Sequence, residues 1–161
     1  MEHILSILIF FPAIAATIGF AVHKDSIRAY AITVTAIEFV LSLMLWYSFD
    51  GNNAGMQFTE FLPLISSYGI SYSVGVDGIS LFLVIMTTLM TMISFIGLTE
   101  KRDLKHLMIT VLYLEMTMIA VFLVLDAVVF YTFWELSLVP MFYIVGAWGG
   151  KLRIYSTIKF F

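Results

Sequence analysis

The chain has 161 residues, of which 61% are hydrophobic and 12% are charged, with a mean hydropathy of +1.03 and a formal net charge of −3. Soluble domains carry roughly 25% charged residues, so this composition excludes a soluble enzyme or a nucleic-acid-binding domain and indicates an all-α membrane protein. The absence of cysteine excludes disulfides, iron–sulfur ligation and thiolate metal sites.

Five apolar stretches have the length of a membrane-spanning helix, which needs roughly 17 to 25 residues. They cover residues 4–22, 29–46, 79–98, 107–125 and 128–148. The first stretch lacks a basic region before it and is too long for a cleaved signal peptide, so we expect it to be retained. After the basic residues that end with Lys159, apolar character resumes at Phe160 and Phe161, which predicts the start of a sixth span. The chain, residues 1–161, is therefore predicted to be a single transmembrane region.

The positive charges are distributed asymmetrically between the loops. Every lysine and arginine lies between spans one and two, between spans three and four, or after span five. Lysine and arginine accumulate in the cytoplasmic loops of multi-pass proteins. The N-terminus and the loop 50–78 are therefore predicted to lie on the outer side.

The loop 50–78 has its own regular pattern. Residues 57–61 and 70–74 alternate between apolar and polar side chains, and residues 63–69 interrupt the alternation. A period of two residues is typical of strands. The loop is predicted to hold short β or interfacial elements, and the simplest role for them is to cover the ends of the helices.

Three carboxylates lie inside the predicted spans: Glu38 in the second, Glu115 in the fourth and Glu135 in the fifth. A charged group at membrane depth costs on the order of 3 kcal/mol and usually handles ions or protons. The alternative is structural, because a protonated glutamate can also hold helices together through hydrogen bonds. The functional interpretation is strongest for Glu135, weaker for Glu115 and weakest for Glu38.

Spans four and five are predicted to form a hairpin that turns near Asp126. Glu115 lies eleven residues before this turn and Glu135 nine residues after it, so both lie roughly 14 to 16 Å from the turn at 1.5 Å per residue. Two carboxylates at matching depth on adjacent helices could relay a proton. Whether they face each other depends on helix rotation, which the pattern leaves open.

Two further features accompany these carboxylates. Pro140 follows Glu135 by five residues and predicts a kink, because proline cannot donate to the carbonyl of Leu136. Such a kink either admits water near Glu135 or serves packing alone. In span three, Thr87, Thr91 and Ser94 form a polar stripe, which favours a helix-packing face over an ion path.

Three segments resemble one family of membrane proteins. They are YSVGVDGISLF at 72–82, LDAVVFYTFWELSLVPM at 125–141 and GGKLRIYSTIKFF at 149–161. The chain resembles the antiporter-like membrane subunits of proton-translocating NADH:quinone oxidoreductase, respiratory complex I, most closely those of the subunit M (chain 4) type. The resemblance covers the whole chain and makes it similar to the N-terminal third of such a subunit.

The resemblance implies a longer helical fold with two inverted repeats that together form a proton channel. The glutamate that this family uses on its fifth helix falls on Glu135, and its lysine partner would lie on a later helix, beyond Phe161. Glu115 matches a position that is often glutamate in related bacterial chains, whereas the resemblance assigns no role to Glu38. Asp126 matches a short outer turn and is expected to be structural.

The function implied is proton translocation driven by quinone reduction in partner subunits. We expect no cofactor, metal or redox centre in this chain, and NADH, FMN, iron–sulfur clusters and quinone in the partners. The expected partners are the other membrane subunits of complex I, including neighbouring antiporter-like subunits, and the lipid of a bacterial-type inner membrane. Two alternatives stay open: a subunit of a multisubunit cation/proton antiporter or membrane-bound hydrogenase, and a purely structural membrane scaffold.

Overall fold

The computed structural model describes residues 3–53, 55–99 and 103–160. Within them lie six α-helices and two β-strands. These are α1 (Ile4–Gly19), α2 (Ile27–Ser48), β1 (Gln57–Ile65), β2 (Ile70–Val76), α3 (Gly78–Gly97), α4 (Leu104–Leu123), α5 (Ala127–Trp148) and α6 (Arg153–Phe160). Two residues of the predicted basic loop, Lys101 and Arg102, and Phe161 of the predicted sixth span lie outside the described residues.

Helices α2 to α5 are each long and apolar enough to cross a membrane. Helix α1 has 16 residues, so at 1.5 Å per residue it measures about 24 Å, less than the roughly 30 Å hydrocarbon core. The predicted first span, 4–22, extends three residues beyond the end of α1. The chain leaves the α-helix after Gly19, where the amides of Phe20, Ala21 and Val22 bond to the carbonyls three residues earlier.

Helix α4 lies at the centre of the bundle and packs against α1, α2, α3 and α5. Helix α4 and its neighbours bury two separate apolar clusters. The first lies on the side of β1 and β2 and is called the hairpin-side cluster; it includes Leu5, Leu8, Leu45, Leu81, Val84, Ile119 and Leu123. The second lies on the side of the basic loops and is called the basic-side cluster; it includes Ala16, Ile27, Ala31, Val34, Phe95, Met108, Ile109 and Leu112. Helix α6 packs against α5.

The two strands form an antiparallel hairpin inside the segment 50–78. Gly69 provides the turn, because its φ of 69° lies in the left-handed region that glycine adopts without strain. The hairpin is bonded to the turn between α4 and α5. The amide of Leu125 donates to the carbonyl of Ser73 at 2.8 Å, and Val74 forms a β-bridge with Val124.

Three acidic residues cap the helices that begin at the hairpin. Glu60 of β1 accepts the amides of Leu5 and Ser6 at the start of α1, Asp77 forms a capping box on α3, and Asp126 accepts two amides of α5. Carboxylates are favourable at helix N-termini because of the helix dipole. The amide of Ser80 holds the pKa of Asp77 below its usual value. The amide of Ser71 does the same for the pKa of Asp126 and links β2 to α5.

Basic side chains gather at the opposite end of the bundle. Lys105 donates to the carbonyls of Phe20 and Val22 at 2.8 and 2.7 Å, and Arg28 donates to the carbonyl of Ile96 at 2.9 Å. These contacts satisfy carbonyl groups where α1 and α3 end. The described part of the chain is therefore acidic at the hairpin end and basic at the other.

Candidate functional site

Two buried glutamates meet between α2 and α4. Glu38 is 0% exposed and Glu115 is 1% exposed. Both helices begin at the basic end of the bundle and pack against each other. Glu38 is the twelfth residue of α2 and Glu115 the twelfth residue of α4, so the two glutamates lie at matching depth. The structure thus pairs Glu115 with Glu38, a combination that the sequence patterns did not indicate.

The spacing of buried residues explains why both glutamates point inward. On α2 the buried positions follow a three-and-four spacing through Ala31, Thr35, Glu38, Ser42 and Leu45. On α4 the same spacing joins Met108, Leu112, Glu115 and Ile119. This is the pattern by which one stripe of a helix faces its neighbours. The polar members Thr35, Glu38 and Ser42 were the available sequence signal for a buried polar stripe on α2.

Hydroxyl groups surround the two glutamates and form a polar layer, defined by Thr35, Glu38, Ser42, Thr88, Thr91 and Glu115. Ser42 and Thr88, both fully buried, are hydrogen-bonded to each other at 3.0 Å. Thr35 donates to the carbonyl of Ala31. Thr91, which lies beside Glu115, donates to the carbonyl of Thr87. Each of these hydroxyls thus has a backbone carbonyl of its own helix as a partner.

The four carboxylate oxygens of Glu38 and Glu115 have no hydrogen-bond partner among the described residues. Leaving a polar group buried and unpaired costs about 1 to 3 kcal/mol, and more if it is charged. The polar layer lies between the hairpin-side cluster and the basic-side cluster on α2, α3 and α4. The pair is therefore a costly arrangement, with apolar side chains on both sides.

Glu135 lies in a different environment. It is exposed on α5 and accepts a hydrogen bond from the hydroxyl of Tyr131 at 2.5 Å, one helical turn earlier. Glu115 faces α2, and Glu135 is on the open surface of the described bundle. The structure therefore does not bring these two glutamates together as a buried pair, and the predicted relay between them stays a prediction.

Pro140 is buried in the interior of α5, which continues on both sides of it. Beside it, a cavity of about 560 Å³ separates α4 from α5. Residues of α4 line it at helical spacing, namely His106, Thr110, Tyr113 and Thr117, and they face Leu136, Pro140 and Tyr143 of α5.

In the predicted polar stripe on α3, the hydroxyl groups bond to the backbone of their own helix. Thr87, Thr91 and Ser94 each donate to the carbonyl four residues earlier.

Comparison with curated proteins identifies relatives along the whole chain. It is 43% identical over 169 aligned residues to NADH-quinone oxidoreductase subunit M of Rhodobacter capsulatus, and the alignment covers all of this chain and 33% of the relative. The chain is homologous to subunit M. The resemblance predicted from the sequence is thereby confirmed, and the chain is an integral membrane protein like its subunit M relatives.

Other subunit M relatives come from distant organisms. Identity is 36% over 164 residues to F(420)H(2) dehydrogenase subunit M of Methanosarcina mazei, which covers all of this chain and 33% of that protein. Identity is 41% over 138 residues to NADH-ubiquinone oxidoreductase chain 4 of Arabidopsis thaliana, covering 84% of this chain and 28% of that one. The chain thus spans about a third of the length of the curated subunit M relatives it matches. No protein-family model matches it.

Solved structures show the same fold. A chain of respiratory complex I from Thermus thermophilus with bound NADH superposes with a TM-score of 0.79 at 21% identity, over 95% of this chain and 31% of that one. The archaeal membrane-bound sulfane sulfur reductase gives the same TM-score at 18% identity, over 96% and 25%. The helical arrangement of this subunit M homologue therefore occurs in membrane subunits of respiratory complexes.

Proposed function

We propose that this chain is part of a proton-translocating membrane subunit of NADH:quinone oxidoreductase, which couples quinone reduction to proton transfer through buried carboxylates. The match to subunit M at 43% identity, which runs along the whole of this chain, carries this proposal. The glutamates in the membrane-spanning helices support it, because carboxylates at membrane depth commonly mark proton paths.

Glu135 is the principal proton-carrying residue in this proposal, and Pro140 loosens the helix next to it. Helix α5 buries few residues in the described bundle, Val129 and Pro140 being the fully buried ones. A carboxylate facing acyl chains is costly, so the open face that carries Glu135 requires protein or water against it. Since the relatives are about three times longer, we infer that further helices of the full-length protein cover this face. Glu115 and Glu38 are secondary candidates for the same path.

The electron chemistry is assigned to partner subunits. We propose that this chain holds no catalytic or redox centre, that the partners hold NADH, FMN, iron–sulfur clusters and quinone, and that its neighbours include other antiporter-like membrane subunits. Its contribution to the reaction is proton transfer at side-chain carboxyl oxygens. Tyr131, which donates to Glu135, is placed to orient that carboxylate.

The proposed topology puts the hairpin end on the outer side of a bacterial-type plasma membrane. All six lysines and arginines in the described residues lie at the other end of the bundle, or after it, and basic loops favour the cytoplasm. In this arrangement α1 serves as a fifth, short span. The N-terminus is then on the outer side.

Thiol labelling tests this topology. In a cysteine-free full-length protein, Ser67→Cys places a thiol in the hairpin and Lys24→Cys places one between α1 and α2. A membrane-impermeant maleimide is expected to label position 67 in intact cells, and position 24 after membrane inversion. The opposite pattern would reverse the proposed orientation, and labelling of both positions from one side would exclude α1 as a span.

The functional proposal is tested on the full-length protein isolated with its native partners. We expect flavin and iron–sulfur proteins to co-purify, and NADH with a quinone to acidify one compartment of reconstituted vesicles. An uncoupler should abolish the pH gradient and leave NADH oxidation running. Proton exchange driven by a sodium gradient without redox proteins would instead indicate a cation/proton antiporter.

One observation favours a second candidate. The relative from Methanosarcina mazei, a subunit of F(420)H(2) dehydrogenase, is 36% identical over the whole chain. The same membrane fold can therefore belong to complexes named for different electron donors. In the purification described above, a complex that oxidises F(420)H(2) or hydrogen and fails to oxidise NADH would support this candidate.

A further inference from the structure

The charge balance around Glu38 and Glu115 is unusual because no cation among the described residues faces them. Neither α1 nor α3 contains a charged side chain. The basic residues of α2 and α4 are Arg28, Lys105 and His106, in the first turns of their helices. Arg28 is ten residues from Glu38, and Lys105 is ten residues from Glu115, which corresponds to about 15 Å along each helix. Both cations bond to carbonyls at the basic end.

The remaining titratable side chains on the packed helices also have other partners or positions. Tyr30 of α2 donates to the carbonyl of Ala15 at 2.7 Å, and Tyr113 of α4 is hydrogen-bonded to Thr17 at 2.9 Å. Tyr47 lies near the hairpin end of α2 and is 93% exposed. On α5, Tyr131 and Glu135 bond to each other, and Tyr143 contacts Trp148. None of these described contacts compensates a negative charge on the glutamate pair.

Two ionised carboxylates side by side in an apolar bundle would repel each other and lack solvation. Burial and a like-charged neighbour both favour the protonated form of a carboxyl group. A carboxyl O–H can donate to a neighbouring carboxylate oxygen, and such charge-assisted hydrogen bonds are short and strong. One proton would therefore join one oxygen of each glutamate in a hydrogen bond within the pair.

We propose that Glu38 and Glu115 form a proton-binding carboxyl pair, enclosed by apolar clusters on both sides. At neutral pH the pair holds at least one proton, and the O–H of one carboxyl group donates to an oxygen of the other. Uptake of a second proton neutralises the pair, and its release returns one negative charge to the polar layer. This occupancy does not depend on which electron donor drives the complex.

A sodium ion is the competing occupant, since hard cations prefer oxygen ligands. The geometry favours the proton. The hydroxyls of Ser42 and Thr88 are bonded to each other, so the unpartnered side-chain oxygens of the layer are those of the two glutamates alone. A proton needs no ligand beyond the two carboxyl groups.

Infrared spectroscopy of the full-length protein in its complex tests the pair directly. The carbonyl stretch of protonated carboxylic acids is followed across a pH titration in the wild type and in Glu38→Gln, Glu115→Gln, the double variant and Glu135→Gln. Asp25→Asn is the matched control, because the Asp25 side chain is 90% exposed. Glutamine nearly preserves the size of glutamate and removes the exchangeable carboxyl proton.

We expect a protonated-carboxyl band at neutral pH that disappears in the double variant and persists in Glu135→Gln and Asp25→Asn. Each single variant should lower the titration midpoint of the remaining glutamate by about one pH unit or more, because a neutral amide replaces a repelling carboxylate. Absence of the band at neutral pH, or single variants that leave the other glutamate's midpoint unchanged, would overturn the proposal. A midpoint that shifts when sodium chloride replaces choline chloride would assign the site to a cation.

A measurement on the wild type alone covers the case in which a variant does not assemble. Hydrogen–deuterium exchange of the same band is expected to be slow compared with exchange of exposed carboxyl groups, because apolar side chains lie on both sides of the pair. Exchange as fast as that of exposed groups would show that the pair is open to water and would contradict the enclosure.

Discussion

Glu135→Gln in the full-length subunit is expected to lower proton transfer through this subunit at least about a hundredfold, the lower end of what a positioned proton-transfer group contributes. Glutamine keeps the length and polarity of the side chain but cannot take up and release a proton. The hydrogen bond from Tyr131 at 2.5 Å can be accepted by the amide oxygen, so α5 should keep its local structure. The measurement is NADH-driven acidification in vesicles, normalised to NADH oxidation with an uncoupler present.

Two matched variants make this result interpretable. Asp25→Asn removes an exposed carboxylate and should leave the ratio of protons to electrons unchanged. Tyr131→Phe removes the donor to Glu135 and leaves the carboxylate in place, so it should retain most of the maximal rate of acidification. A wild-type proton ratio in Glu135→Gln would support the scaffold interpretation, in which the membrane acids only hold helices together.

Phe95→Ala is expected to have the largest effect on stability, lowering the free energy of unfolding by about 3 to 5 kcal/mol. Phe95 of α3 is 1% exposed and is the largest side chain in the basic-side cluster. Its removal leaves a cavity inside the basic-side cluster, which the closely packed neighbours do not fill. Reversible unfolding in bicelles or mixed micelles measures the change.

Ile93→Ala, two residues away on the same helix, is the control for Phe95→Ala. Ile93 is 49% exposed, and lipid tails are as apolar as the side chain that contacts them. Its truncation should change the unfolding free energy by about 0.5 kcal/mol or less. Equal effects of the two substitutions would show that Phe95 does not form a packed core. Since Phe95 lies on the basic side of the polar layer, its truncation should also speed deuterium exchange at the glutamate pair.

The positions of the helices could largely be predicted from the sequence because spanning length is a strong constraint. The predicted fifth stretch, 128–148, differs from α5, Ala127–Trp148, by one residue at its start. The alternation at 57–61 and 70–74 falls within β1 and β2. The first stretch was too long because Phe20, Ala21 and Val22 are apolar and yet follow the end of α1, so hydropathy alone could not locate its end.

The pairing of the carboxylates could not be predicted, because it depends on helix rotation. In a soluble helix the polar face marks the solvent side, but these helices are apolar on both the lipid side and the packed side. Depth alone suggested Glu115 and Glu135 on consecutive helices. The structure instead buries Glu115 at the same depth as Glu38 of the packed helix α2, 77 positions earlier in the chain. The spacing of Thr35, Glu38 and Ser42 is visible in the sequence, but it carries no information about which residue lies opposite Glu38.

The attachment of the hairpin to α5 has a mechanical consequence. The start of α5 is fixed by the cap of Asp126, by the bond from Ser71 to that carboxylate, and by the bond from Leu125 to Ser73. Proline at 140 interrupts the hydrogen-bond ladder farther along. A change of bend there would swing residues 141–148 and α6 while Glu135, on the anchored segment, keeps its position. Such a bend would move the groups beyond Pro140 relative to Glu135, whereas the glutamate would stay with the segment that the hairpin holds.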